Sequence, residues 1–121
     1  KHAAYVVRNA EMPGFSREQQ TMLAAILENQ RRRLRPKRFE RLAPDRQELA
    51  LQLSVIVRLS ILLNRERTDE AQPSVEVTRA SRRRLDLRFP EGWLDGRPMT
   101  RADLEEEASY LDKIDIELAF E

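Results

Sequence analysis

Two runs of basic residues hold the side chains whose type and spacing best suit ligand chemistry. Arg31, Arg32, Arg33, Arg35, Lys37, Arg38 and Arg41 form the first, and Arg82, Arg83 and Arg84, flanked by Arg79 and Arg88, form the second. A guanidinium fork donates paired hydrogen bonds to a phosphate or a carboxylate. Successive arginines therefore suit an anion with charges at regular intervals, and such binding weakens steeply with salt. Each run also has a purely structural account. Cations at a helix end complement its dipole, and a basic hairpin turn guards a sheet edge against aggregation.

Catalytic chemistry is harder to find. The chain has no cysteine and a single histidine, His2. Disulfides, thiolate catalysis and a multi-histidine metal centre are thus excluded from this chain alone. Glu105, Glu106 and Glu107 are consecutive, and neighbours in a helix do not face one point, so they read as a solvated face. With three glycines in all, no phosphate-cradling glycine loop can form. Trp93, Tyr5 and Tyr110 are scattered, which argues against a base-stacking surface and against specific nucleic-acid binding. No catalytic residue, metal ligand or cofactor is assigned to this segment.

The elements that must position these residues follow from pattern and composition. The 121 residues suffice for one domain or two very small ones. Over a third of them are charged, yet the net charge is only +1, because basic runs are offset by an acidic end. Residues 48–64, ELALQLSVIVRLSILLN, are apolar nearly all round with a thin polar stripe through Ser54 and Arg58, which predicts a central buried helix. That stretch is too short, and too interrupted by Arg58, for a membrane span. Asp45 with Glu48 predicts its capped start, and Ser16 with Gln19 a second capping box opening a helix to about Arg33. Leu23, Ile26 and Leu27 would be the inward face of that helix. Residues 1–9 read as a helix end, with Ala3 to Val7 compatible with burial, and 12–15 as a turn at Pro13-Gly14. After the polar stretch 66–73, Val75 and Val77, then Leu85, Leu87 and Phe89, alternate with polar residues and predict a hairpin. Thr100 with Asp103 predicts a capped helix through Leu111, and Ile114, Ile116, Leu118 and Phe120 a closing strand. The expected class is α+β: a helical part, 1–66, then a small β-β-α-β part, 73–121. The chain starts at Lys1 without a signal pattern and is expected to be a piece of a longer, cytoplasmic protein.

The order of HAAYVVRN, MPGFS, an arginine triplet, VIVRLSILLNR, LRFPEGWL and LEEEASYLDKIDIEL resembles the C-terminal region of bacterial exopolyphosphatases. These belong to the exopolyphosphatase and guanosine pentaphosphate phosphohydrolase family. The resemblance implies that 1–66 corresponds to the later helices of a domain like the His-Asp metal-dependent phosphohydrolases, followed by a small mixed domain. It implies that catalytic carboxylates and Mg²⁺ reside in N-terminal domains outside this segment. This part would help bind inorganic polyphosphate, through Arg31, Arg32, Arg33, Arg35, Lys37, Arg38, Arg82, Arg83 and Arg84, and would contribute to a homodimer. Where the family often has a histidine before its arginines, this chain has Gln30. The rival expectations are the same role in a guanosine pentaphosphate hydrolase, a ligand-free dimerisation scaffold, and a nucleic-acid module.

Overall fold

The computed structural model describes residues 2–65 and 74–121, with the backbone alone at His2. Among these residues the elements run α1 (His2–Asn9), α2 (Arg17–Glu28), a 3-10 helix (Pro36–Phe39), α3 (Pro44–Leu63), β1 (Glu76–Ser81), β2 (Arg84–Arg88), α4 (Pro98–Asp112) and β3 (Glu117–Phe120). The class is α+β, helices first and then β-β-α-β. The chain divides into two compact units, Lys1–Leu59 and Ser60–Glu121. The polar stretch 66–73, expected as the internal boundary, lies outside the described residues, as do Lys1 and the side chain of His2.

In the first unit, α1 ends at a turn closed by Phe15 N–H donating to Met12 O, with Gly14 at φ +86°. Glycine meets that left-handed angle without a side-chain clash. Ser16 then starts α2 with both arms of the capping box in place: Gln19 N donates to Ser16 Oγ and Ser16 N to Gln19 Oε1. The helix stops at Glu28 rather than near Arg33, so the arginine triplet lies on a loop. Its buried face is Met22, Ala24, Ala25 and Ile26, whereas Leu23 and Leu27 are only half-buried. In α1 Ala4 is buried, whereas Tyr5 and Val6 are exposed.

The third helix also departs from expectation. It begins at Pro44, a residue suited to the first helical position because its missing N–H has no partner there anyway. Asp45 therefore lies inside the first turn, where its charge complements the helix dipole. Rather than burying every side, α3 buries Ala50, Leu51, Ser54, Val55, Arg58, Leu59 and Leu62 and exposes Leu49, Ile56 and Ile61. Its polar stripe faces inward.

In the second unit the strand order is β1-β2-β3, with β1 antiparallel to β2 and β2 parallel to β3. A parallel pair cannot be joined by a tight turn, and α4 supplies the crossover. That helix starts at Pro98, two residues before the expected cap, so Thr100 is buried within its first turn. Leu104, Leu111, Ile116, Leu118, Leu87, Phe89 and Leu94 make the core. Trp93 anchors the connecting loop: its ring stacks on Phe89 at 5.2 Å and the Arg97 guanidinium lies 4.3 Å from its centroid. All of β1 is exposed, so its alternating pattern does not mark a buried face.

Candidate anion-binding loop

The loop that follows α2 is built around Asn29. This residue ends the helix, its own N–H donating to Ile26 O, and its side chain is fully buried. From there its amide clasps the far end of the loop: Arg35 N donates to Asn29 Oδ1 at 2.8 Å, and Asn29 Nδ2 donates to Arg35 O at 3.2 Å. Both amide groups are thereby satisfied, as a buried amide requires. Leu34 inserts into the core just before Arg35, and Pro36 then starts the 3-10 helix.

A second hold comes from α3. Arg58, only 6% exposed, donates Nη1 to Asn29 O at 2.6 Å and Nη2 to Arg32 O. Carbonyls past a helix end have no partner within the helix, and a cation there gains from the aligned peptide dipoles. Arg38 does the same one residue earlier, donating to Glu28 O. Arg32 adopts φ +56°, a left-handed angle that costs a residue with a Cβ roughly 1–2 kcal/mol. Its carbonyl is one of those Arg58 holds.

The consequence for the side chains is direct. Arg31, Arg32, Arg33, Arg35 and Lys37 are exposed, and among the described residues no carboxylate pairs with any of them. Arg38 is half-buried with one donor committed to the backbone. Gathering five cations on one short stretch sets like charges against one another without an ion pair to offset them.

The second basic run is arranged differently. Arg82 and Arg83 are exposed in the β1–β2 turn, and Arg83 Nη1 donates to Ile114 O at 3.3 Å. Arg84 is held between Asp86 at 2.8 Å and Glu117 at 3.2 Å. The hydrogen bond and charge of Asp86, and then the charge of Glu117, raise its pKa above the ordinary arginine value. Arg88 bridges Glu76 at 3.5 Å and Glu121 at 3.2 Å. These arginines join β2 to the strands on either side of it.

On α4, Glu105 and Glu106 are exposed and Glu107 is buried, so the three carboxylates do not converge; Glu106 accepts from Tyr110 Oη at 2.9 Å. Among the described residues no three His, Asp or Glu side chains gather where they could hold a metal ion, and no chemical step is assigned here to Mg²⁺. No helix among them is long and apolar enough to cross a membrane.

Of the residues that organise the loop, Asn29 and Arg58 are not singled out as such by the sequence. Asparagine at the end of a periodic apolar segment is a helix-stop signal, and a lone arginine amid apolar residues calls for buried acceptors. Together those two signals mark the site.

Comparison with known families identifies the chain's family. A family model described as Ppx/GppA phosphatase, domain III, matches residues 1–108. The chain belongs to this family: it is part of a Ppx/GppA phosphatase.

Proposed function

We propose that this chain is a non-catalytic segment of a phosphatase that removes terminal phosphate from inorganic polyphosphate, and that it retains the polyanion while cleavage occurs elsewhere in the parent. One contrast carries the reading. Arg84 and Arg88 each lie between two carboxylates, whereas Arg31, Arg32, Arg33, Arg35 and Lys37 face solvent without a carboxylate among the described residues. Cations that stabilise a fold are paired; a cluster left unpaired on a pinned loop is suited to an external anion. Retention of this kind raises local substrate concentration and favours repeated cleavage of one chain. Arg82 and Arg83 would add exposed charge at the hairpin, with Arg84 serving the sheet. Between the family's two substrate types, no aromatic residue lies in 30–38 to stack on a guanine, which favours linear polyphosphate over guanosine pentaphosphate. Mg²⁺ would serve the catalytic domains of the parent, in a cytoplasmic setting.

Titration of the chain with long-chain polyphosphate, single-stranded RNA and heparin at two salt concentrations tests this. Preference for polyphosphate, weakening with salt, is expected. Equal and weak binding to all three leaves only generic charge attraction and sinks the proposal.

Association between copies is a second reading, favoured by the exposed Leu49 and Ile56 on α3 and Tyr5 on α1. Such surfaces mark interaction sites when contiguous. Sedimentation of wild type and Ile56→Glu decides it: a dimer abolished by the charge supports a scaffold role, and a monomer at all concentrations removes it.

A further inference from the structure

We infer that Arg58 and Asn29 are positioning residues for the arginine loop: they hold residues 29–35 in one backbone shape, and that shape sets where the guanidinium groups of Arg31, Arg32 and Arg33 stand. The inference rests on the reading of this loop as an anion site and goes beyond it, because neither residue is assigned to touch the ligand.

Two observations converge. A loop carrying adjacent like charges relaxes by spreading them apart unless its backbone is tied down. Here its two ends are tied to each other through the Asn29 amide, and its middle is tied to α3 through the bond from Arg58 Nη2 to Arg32 O. The tie falls at the left-handed residue, Arg32, so the hold is applied where the chain is least inclined to stay. The geometry also calls for arginine. One guanidinium reaches two carbonyls three residues apart in sequence, at Asn29 and Arg32, with two nitrogens in a fixed plane. A lysine ammonium is a single point on a flexible stem. A site whose donors already stand in the bound arrangement spends less of its binding energy on ordering them.

The test pairs a conservative core change with two loop changes that leave the core alone. Arg58→Lys keeps the charge and loses the fork. Arg32→Gly removes the exposed side chain but accepts φ +56°, whereas Arg32→Pro removes the same side chain and forbids that angle. For Arg58→Lys the expected result is roughly fivefold weaker binding of long-chain inorganic polyphosphate, within the range by which residues without ligand contact modulate a site. That loss should disappear in a background carrying Arg31→Gln and Arg33→Gln, since it acts through those side chains. Arg32→Pro should bind more weakly than Arg32→Gly. Independently of any ligand, hydrogen exchange at the Arg35 amide should quicken about tenfold in Arg58→Lys while the amides of Ala24 and Ala25 keep their protection.

Unchanged Arg35 exchange in a folded Arg58→Lys variant overturns the positioning role even if polyphosphate binds. So does a binding loss that persists undiminished without the loop arginines. If Arg58→Lys does not fold, equal binding by Arg32→Pro and Arg32→Gly overturns it instead. A wild-type chain that ignores polyphosphate at low salt refutes the functional reading, and the exchange measurement then still decides whether Arg58 holds the loop.

Discussion

Arg58 in the middle of α3 donates to the carbonyl oxygen of Asn29, the residue that ends α2, at 2.6 Å and out of contact with solvent. Two helices that are separate in sequence are joined there by a charge on one and an unsatisfied peptide dipole on the other. Replacing Arg58 by leucine would leave the carbonyls of Asn29 and Arg32 without this donor. Hydrogen bonds involving a charged group contribute about 1.5–3 kcal/mol each. Arg58→Leu is therefore expected to lower stability by about 3 kcal/mol in urea unfolding with an unchanged slope. A loss under about 0.5 kcal/mol, the range of surface changes, would show that the buried fork contributes little.

If the loop arginines contact a polyanion directly, their number is readable from salt dependence. Each neutralised anion charge contributes roughly 0.7–0.9 to the slope of log affinity against log salt. Arg31→Gln with Arg33→Gln should reduce the slope for polyphosphate by about 1.5. An unchanged slope would mean that neither side chain meets the ligand.

Arg84 behaves in the opposite way. Because Asp86 and Glu117 already hold it, Arg84→Gln should weaken the sheet and leave polyphosphate affinity unaltered. Asp86→Asn should release part of the guanidinium and tighten binding modestly. The two variants are compared by titration and by thermal unfolding. Affinity lost in Arg84→Gln without loss of stability would place this arginine on the ligand after all.

Ser54 gives a prediction of the other sign. Its hydroxyl is fully buried on α3 and has no hydrogen-bond partner among the described residues. Such a group costs about 1–3 kcal/mol in lost hydration, and alanine is the better helix former. Ser54→Ala should therefore raise stability by about 1 kcal/mol, seen as a higher denaturant midpoint. Destabilisation would reveal a partner for the hydroxyl.

The residue patterns foretold the order of elements better than their facing. Ser16 with Gln19, the turn at Gly14 and the β-β-α-β order were legible because each depends on neighbours in sequence. The end of α2 was not: Arg31 and Arg32 are good helix formers, and the loop is held by partners distant in sequence, Arg35 on Asn29, Arg38 on Glu28 and Arg58 on Asn29 and Arg32. The inward stripe of α3 was hidden for a similar reason. The pattern marks Ser54 and Arg58 as a polar stripe, but that Arg58 turns inward depends on the carbonyls of Asn29 and Arg32, on a loop far away in sequence. At Pro44 and Pro98 the proline effect on the first helical turn outweighed the capping motif that follows each. The arginine clusters were visible from the start. That Arg84 and Arg88 are paired with carboxylates while Arg31, Arg32 and Arg33 are not depends on Asp86, Glu117, Glu76 and Glu121, whose placement needs the folded sheet.

The first strand is the edge of that sheet and is exposed along its length, which in a flat, regular strand would invite growth of fibrils from neighbouring molecules. Its register slips between Val77 and Arg79, leaving Thr78 as an extra residue opposite Leu87 and Asp86. A bulge of this kind bends and twists the free edge so that a second strand cannot zip along it. Deleting Thr78 would straighten the ribbon, and concentrated solutions of that variant should scatter light and bind thioflavin where the parent chain stays clear.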